Sequence, residues 1–310
     1  MSLPPNTGSI ELTAFRAHTA QLLARGERLD KRDFATCRMP TVVREERVGP
    51  SSDVSGSSNS GSKNTSTVTT SINLTNNGSL AAVMYTDNYG SCIQCTVQGL
   101  LGPPRPQTPA AGRLNVHVEA PFLEQPGGAG GANYKSFQYI ISNDNVDLAL
   151  RELEGYIGIV LEGCFDLRQL SIYEREACWV LNVNVTLLSF DGGLRAGSLH
   201  AVLAALHKLH LPRTRLPNGD VIERRQLRLS CLPVACTFGF LAGAQVRLLT
   251  DTTAMEEFVA DGIITVAVSE SGEVVGVHQT GRCPLLAQAL TAAVQQWMQG
   301  SAAVREALYG

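Results

Sequence analysis

The chain has 310 residues, of which 44% are hydrophobic and 17% charged, so it carries enough apolar side chains for a substantial core. Its net charge is −3, which argues against a free-standing nucleic-acid binder but leaves room for a local basic patch. The first residues have no basic and apolar leader, and no apolar run is long enough to cross a bilayer. The sequence therefore predicts neither a secretory signal nor a membrane span.

The first quarter of the chain predicts a helix, a charged turn and a strand. Apolar side chains near one face indicate a helix over residues 9–25 that ends at Gly26. A charged turn at 28–32 and a strand at 41–48 follow. Residues 50–71 are rich in Ser, Gly and Thr and cannot bury enough apolar surface to fold alone, so we expect a flexible insertion there.

Strands and a loop with two arginines are predicted next. Strand patterns flank the turn at 86–90 and return at 115–119. The intervening loop, residues 99–112, is rich in Pro and Gly and carries Arg105, with Arg113 just after it.

A long helix and a long strand occupy the middle of the chain. The helix is predicted over 143–163, because apolar residues recur there at spacings of three and four. The strand over 179–190 alternates apolar and polar side chains and ends in an Asp-Gly-Gly turn before the next helix. Such a turn can hold a phosphate at a helix N-terminus. The favoured alternative is a plain corner in which the aspartate bonds nearby backbone N–H groups.

The last third of the chain repeats this plan of several strands followed by a helix. Strands are predicted at 228–240, 245–250, 263–268 and 273–278, an acidic stretch at 253–257, and a helix at 285–297 that residues 302–308 extend or follow. The repetition predicts an α+β fold in which helices pack on mixed sheets. We expect a single domain over 1–310, with halves at about 28–212 and 225–300.

The sequence predicts neither a metal site nor a cofactor. Cys92 and Cys95 form the only Cys-x-x-Cys pair, they lie in a predicted strand, and a zinc site would need further ligands. His207 and His210 have the spacing of one helical turn, which is more often a solvated helix end than a metal site. The eight cysteines are expected to be reduced thiols.

Three motifs resemble those of the RNase PH superfamily and follow the family's order. They are a charged turn after an N-terminal helix, a strand–turn–helix with two glycines, and an acidic block at 251–257 that leads into a strand. The first two are carried by Arg28, Asp30, Arg32, Asp191, Gly192 and Gly193. Within the superfamily the chain resembles the ring subunits of the eukaryotic exosome core, notably in the segment 232–238.

This resemblance implies a fold, a set of partners and a location. The fold would be RNase PH-like, with two pseudo-repeated units of strands and a helix. The partners would be other RNase PH-like ring subunits, cap subunits with S1 or KH domains, and RNA threaded through a central pore. The protein would work in RNA processing, including that of ribosomal RNA, in the nucleus with its nucleolus and in the cytoplasm.

The resemblance also implies that the catalytic residues are degenerate. Active members place an arginine at the start of the helix that is predicted here from 143, whereas this chain has Asp144, which would repel phosphate. Their two aspartates in the acidic block fall on Glu257 and Ile263, and an isoleucine can neither transfer a proton nor bind a metal. We therefore expect a structural and RNA-channelling subunit without phosphorolytic activity.

Two other functions are weighed against this one. An active phosphate-dependent 3′–5′ exoribonuclease is the main alternative, and a small-molecule enzyme lacks any supporting nucleotide or hydrolase motif. In the family, the loop after the second hairpin faces the pore, so Arg105 and Arg113 are candidate RNA contacts, with Arg195 as a third. Ordinary surface arginines remain the alternative for all three.

Overall fold

A computed structural model describes residues 7–45, 79–87, 90–121, 146–216, 219–241, 247–281 and 286–310. The predicted insertion at 50–71 and the predicted helix start at Asn143 and Asp144 lie outside these ranges. The described residues form two main β-sheets, two short ribbons and five α-helices. None of these helices combines the length and the apolar character that crossing a membrane requires.

The first sheet has six strands in the order β1-β2-β3-β6-β4, with β5 paired to the start of β6. The strands are β1 Thr41–Glu45, β2 Ser79–Thr86, β3 Cys92–Gly102, β4 Arg113–Glu119, β5 Ser171–Tyr173 and β6 Ala177–Ser189. All pairs are antiparallel except β4 with β6. Leu181, Val183, Val185 and Leu187 of β6 are fully buried while the residues between them are half-buried, as the sequence alternation predicts.

The second sheet has four antiparallel strands in the order β12-β11-β13-β14. The chain reaches it through two short ribbons, β7 with β10 and β8 with β9. The bounds are β7 His210–Leu211, β8 Thr214–Arg215, β9 Val221–Ile222, β10 Arg225–Gln226, β11 Val234–Leu241, β12 Arg247–Thr250, β13 Gly262–Val268 and β14 Val274–Gly281. The hairpin between β13 and β14 turns at Gly272 with a φ of +83°, as predicted.

The helices join the two sheets. They are α1 Thr7–Arg25, α2 Val146–Cys164, α3 Leu194–Leu206, α4 Ala254–Val259 and α5 Leu286–Tyr309. Helix α3 contacts strands of both sheets, and every residue from Ala196 to Leu206 is buried. A helix that is buried on all sides needs small or apolar residues all round, which its sequence supplies. One hydrophobic core therefore runs through α3 from the first sheet to the second.

The α+β class agrees with the sequence prediction, but several local assignments are wrong. His207 and His210 do not share a helix, because α3 ends before His207 and His210 begins β7. Arg113 is the first residue of a strand, not a loop residue. The acidic stretch forms α4, whose start is fixed by a capping box between Thr253 and Glu256. At the end of the chain, residues 302–308 extend the helix predicted at 285–297 into one continuous helix, one of the two arrangements that the sequence allowed.

The packing of α5 on the second sheet is testable at Trp297. This side chain is 1% exposed, and its indole Nε1 donates a hydrogen bond to the carbonyl oxygen of Val234 at 3.1 Å. Replacing Trp297→Phe leaves that carbonyl without its donor and loses contacts, so we expect the free energy of unfolding to fall by about 2 kcal/mol. Urea unfolding at low protein concentration, followed by the fluorescence of Trp179, measures this change.

The matched control is Gln299→Ala on the exposed side of the same helix. We expect its free energy of unfolding to stay within about 0.5 kcal/mol of the parent. Equal unfolding midpoints for Trp297→Phe and the parent would contradict the role assigned to the indole.

Candidate functional site

Three segments that are distant in sequence meet at one site. They are the charged turn after α1, the Asp-Gly-Gly turn between β6 and α3, and the acidic segment around α4. We use the name arginine–carboxylate network for Arg28, Arg32, Arg38, Asp30, Asp251 and Glu256. The structure thus brings the first of the three sequence motifs onto the third.

Arg28 and Glu256 form the centre of the network. Their side chains are 0% and 1% exposed, and Nε and Nη2 of Arg28 lie 2.7 and 2.6 Å from the two carboxylate oxygens of Glu256. The remaining guanidinium N–H groups donate to the carbonyl oxygens of Thr250 and Asp251, each at 2.9 Å. This paired geometry satisfies both buried charges and aligns the N-terminal turn with the start of α4.

Arg38 forms a second bidentate ion pair, with Asp251. Its Nε and Nη2 donate to the Asp251 carboxylate at 2.9 and 2.8 Å, and its backbone N–H donates at 2.6 Å. Burial by itself lowers the pKa of Arg38, and the carboxylates of Asp251, Asp87 and Asp191 more than reverse this, so the pKa is raised. Asp251 adopts a φ of +51°, a conformation that these bonds stabilise.

Arg32 completes the network from the charged turn. Its Nε contacts the Asp30 carboxylate at 2.5 Å, and its Nη1 and Nη2 reach the carboxylate and the carbonyl oxygen of Asp251 at 3.1 and 3.0 Å. Burial raises the pKa of Asp251, but the arginines outweigh it and leave that pKa below its usual value. Arg28, Asp30 and Arg32 are therefore joined to one another through shared partners.

The Asp-Gly-Gly turn packs against the backbone before α4. Gly192 has a φ of +86°, and a Cβ there would overlap the carbonyl oxygen of Thr252. Gly193 has a φ of +62° and precedes the first residue of α3. Asp191 Oδ1 accepts from the N–H of Ala254 at 3.4 Å. Both glycines are needed because the turn is left-handed and closely packed.

The backbone N–H of Gly193, just before α3, donates a hydrogen bond to a carboxylate of the protein. Glu257 Oε1 accepts from the Gly193 N–H at 2.7 Å and from Thr252 Oγ1 at 3.1 Å. Burial raises the pKa of Glu257 to about 7, against the opposing effect of these hydrogen bonds. One of the backbone donors at this helix start, the N–H of Gly193, is therefore already paired within the protein.

The other predicted site residues are spread over the molecule. Arg195 has a side chain only 19% exposed and lies 3.6 Å from Glu152, and burial lowers its pKa. Arg105 is exposed, while Arg113 is half-buried beside Val180 at the start of β6. Since Arg195 follows the far end of that strand, it lies roughly 30 Å along the strand direction from Arg113. Arg195 and Arg113 therefore cannot contact the same few nucleotides.

Ile263 and the cysteine pair lie in strands. Ile263 of β13 stands between Gly239 and Thr280 of the neighbouring strands, with no carboxylate at its position. Cys92 and Cys95 point to opposite faces of β3, because their positions along the strand differ by an odd number, three. Across the ranges that the structure describes, no group of three or more His, Cys, Asp and Glu side chains could hold a metal ion.

Sequence reasoning did not identify Arg38, Asp87 and Asp251 as one cluster. Arg38 and Asp251 are 213 positions apart, and no local pattern links residues at that distance. Asp87 Oδ2 lies 3.1 Å from Nη1 of Arg38, while its Oδ1 accepts from the N–H groups of Gly90 and Ser91. The detectable signal was the Thr-x-x-Glu spacing at 253–256, which marks a helix start.

The buried pair at the centre of the network predicts a large effect on stability. Replacing Arg28→Met leaves Glu256 buried and unpaired, so we expect the free energy of unfolding to fall by about 3–5 kcal/mol. The double replacement Arg28→Met with Glu256→Leu should recover part of this loss, since no buried charge remains. Urea unfolding and soluble yield measure both effects.

An exposed pair provides the control. Arg213 and Glu223 lie 3.3 Å apart with side chains 68% and 76% exposed, so Arg213→Ala should have a negligible effect on unfolding. A loss for Arg28→Met no larger than that of Arg213→Ala would show that the buried pair does not align the two segments.

Glu257 predicts a pH-dependent effect. Its pKa is about 7 in the folded chain against 4.5 ordinarily, so the folded state keeps a proton that the unfolded state releases between these pH values. Glu257 therefore contributes less to stability as the pH rises from 4.5 through 7. Replacing Glu257→Gln should raise stability relative to the parent by on the order of 2 kcal/mol more at pH 8 than at pH 5.

His200 must be accounted for in the same measurement. Burial lowers its pKa to about 4, so its contribution to stability is lost as the pH falls below 6.5. This opposes the effect of Glu257 in the parent, and the comparison of parent with Glu257→Gln cancels it. A stability difference between these two proteins that does not change with pH would refute the raised pKa.

The chain matches known protein families and relatives. Two models of the 3′ exoribonuclease family match it, domain 1 over residues 67–212 and domain 2 over residues 231–296, together more than half of the chain. Over 183 residues it is 30% identical to the exosome complex component Rrp42 of Methanopyrus kandleri, covering 58% of this chain and 63% of that protein. Over 219 residues it is 25% identical to the exosome complex component RRP45 of Danio rerio, covering 66% and 53%. The matched region spans less than two thirds of either relative.

A solved structure shares the fold. The exosome of Archaeoglobus fulgidus with RNA bound to the active site superposes with a TM-score of 0.70 over 96% of this chain and 98% of that one, at 21% identity. At this identity the likeness shows the fold alone, and it confirms the predicted RNase PH-like α+β architecture. With both family models matched in order and this fold observed, the chain belongs to the RNase PH-type 3′ exoribonuclease family.

Proposed function

We propose that the chain is a non-catalytic, structural and RNA-channelling subunit of an exosome core ring. Its partners are RNase PH-like sister subunits, cap subunits with S1 or KH domains, and RNA in the central pore. It supports 3′–5′ RNA processing and degradation, including ribosomal RNA maturation, in the nucleus with its nucleolus and in the cytoplasm. The family membership and the relatives named as exosome components support this proposal.

One observation carries the non-catalytic part of the proposal. Phosphorolysis needs an anion site for inorganic phosphate, and the family resemblance places that site at the helix start near Asp144, outside the described residues. Among the described residues, the N–H of Gly193 before α3 is a second donor that could bind an anion. That N–H donates instead to the Glu257 carboxylate at 2.7 Å. The nearby Arg195 lies 3.6 Å from Glu152, so its charge is partly neutralised too. A phosphate would have to displace carboxylates of the chain itself.

The second position of the expected carboxylate pair supports the same conclusion. Ile263 occupies it, within the hydrogen-bonded register of β13 between two neighbouring strands. An isoleucine there supplies neither a proton acceptor nor a metal ligand. Asp144, at the third altered position, lies outside the described residues, and its repulsion of phosphate stays a prediction.

Which ring subunit the chain corresponds to is a more specific proposal. The segment Leu232–Phe238 resembles a strand of ribosomal RNA-processing protein 43, whereas the matched relatives carry the names Rrp42 and RRP45. We therefore propose membership of this group of ring subunits and leave the assignment to protein 43 as a prediction. We also propose a single domain in two halves, since one core is shared by residues of both.

Purification of the tagged native protein tests the proposal. We expect several RNase PH-like sisters and cap proteins with S1 or KH domains to co-purify. We expect no release of nucleoside diphosphates that depends on phosphate and is traceable to this chain. The assay compares the purified complex with and without inorganic phosphate, and a complex that carries Glu257→Gln is the control for activity that involves this carboxylate.

Recovery of the chain alone, releasing nucleoside diphosphates from RNA, would establish the alternative of an active exoribonuclease. A ring subunit should also bury apolar faces only on assembly, and Val43 and Ile159 are 58% and 64% exposed in the chain alone. We therefore expect poor solubility at high concentration and rescue by co-expressed partners. A soluble monomer at high concentration would contradict the ring assignment.

A further inference from the structure

A group of arginines surrounds the β5 strand, at the opposite end of β6 from the degenerate site. Six arginines lie on three segments that contact one another, and we call this group the β5 basic surface. Its members are Arg105, Arg113, Arg168, Arg175, Arg225 and Arg228. The surface lies on elements that the sequence analysis did not connect.

Backbone contacts hold the three segments together. The N–H of Arg175 donates to the carbonyl oxygen of Pro109 at 2.9 Å, which joins the β5–β6 turn to the loop that carries Arg105. The N–H of Gly112 donates to the carbonyl oxygen of Leu167, also at 2.9 Å, which places Arg113 and Arg168 next to this junction. The loop with Arg105 and Arg113 is therefore continuous with the segment 166–176.

The third segment is held by its own contacts. Gln169 bonds the backbone of Arg228 twice, accepting from its N–H at 2.9 Å and donating to its carbonyl oxygen at 2.8 Å. Nη2 of Arg225 donates to the carbonyl oxygen of Ser171 at 3.1 Å. The side chains of Arg168 and Arg228 are exposed on either side of Gln169. The six arginines thus occupy one contiguous part of the fold.

The charges of this surface are not cancelled within the chain. Its segments hold six arginines against the three carboxylates Asp166, Glu174 and Glu176, and Asp220, which the Tyr173 hydroxyl contacts, makes a fourth, whereas the whole chain has a net charge of −3. Over the described ranges, none of the six arginines lies in an ion pair. The buried Nε–H groups of Arg113 and Arg225 donate no hydrogen bond within the described ranges. These guanidinium groups have donor capacity for an external anion.

We propose that the β5 basic surface binds the phosphate backbone of single-stranded RNA and extends the contact expected at Arg105 and Arg113. This inference rests on the proposed function and adds Arg168, Arg175, Arg225 and Arg228 to it. The planar guanidinium fork matches a phosphate group, and all six cations are arginines. Tyr173 lies among them with its side chain 38% exposed, and a base can stack on such a ring.

The same features favour RNA over an acidic protein as the partner. A protein interface of this size is centred on apolar side chains that exclude water. The exposed apolar side chains among these segments are Leu100 and Leu101 at the end of β3 and Tyr173, whose hydroxyl contacts Asp220 Oδ2 at 2.5 Å, so the six arginines outnumber them. A row of cations with one aromatic ring is typical of a surface that tracks a nucleic-acid backbone.

Salt-dependent RNA binding by the assembled complex tests the inference. The probe is fluorescein-labelled oligouridine, titrated over a series of salt concentrations with the parent complex and with the double variant Arg168→Ala, Arg228→Ala. We expect the slope of log affinity against log salt to fall by roughly 0.7 for each lost phosphate contact, and Kd at low salt to rise on the order of tenfold. The control is Arg213→Ala, an exposed arginine that is already paired with Glu223 at 3.3 Å.

A parent-like slope and Kd for the double variant would overturn the inference and leave the proposed function standing. Loss of a co-purifying subunit with unchanged RNA binding would also overturn it, since the partner would then be a protein. A parent complex that binds no RNA would overturn both proposals. Photo-cross-linking of 4-thiouridine RNA to the parent complex is independent of any folding defect in a variant. It should label peptides from 168–175, and their absence among the labelled peptides would refute the contact.

Discussion

The buried pair of Arg28 and Glu256 sets the relation between the first turn of the chain and its last third. Removing two charges from water costs several kcal/mol for each ion, so such a pair is retained only where its geometry satisfies both groups. Here the guanidinium also bonds the carbonyl oxygens of Thr250 and Asp251, which fixes the strand end before α4. Apolar packing around α3 holds the two sheets together, and the Arg28–Glu256 pair aligns the N-terminal turn with the start of α4. We infer that alignment, more than net stability, is what this pair contributes.

The same alignment brings a carboxylate of the chain to the helix start that follows the Asp-Gly-Gly turn. Arg38 donates hydrogen bonds both to the Asp251 carboxylate and to the Asp191 carbonyl oxygen. These bonds hold Gly192 in close contact with the backbone of Thr252. Glu257, in the first turn of α4, accepts from the N–H of Gly193. One carboxylate at the junction, that of Glu257, therefore occupies a backbone donor at the start of α3.

Features that depend on neighbouring residues were predictable from the sequence, and features that depend on distant partners were not. The alternation of β6, the left-handed Gly26 after α1 and the hairpin turn at Gly272 follow from local periodicity and backbone freedom. Helix α4 was missed because six residues are too few for an apolar period, although its capping box was present. The pairing of Arg38 with Asp251 has no local signature, since it exists only after both sheets have packed on α3.

The distribution of arginines explains why net charge was a poor guide to an anionic partner. Arg28, Arg32 and Arg38 are neutralised by carboxylates within the network, and they contribute little to the field outside the protein. An acidic total of −3 therefore coexists with the β5 basic surface, where arginines outnumber carboxylates and form no ion pairs within the described ranges. An anionic chain such as RNA responds to this local excess, because salt screens more distant charges within about 10 Å. The proposed subunit would thus combine a carboxylate-occupied helix start at one end of β6 with the proposed RNA contact at the other.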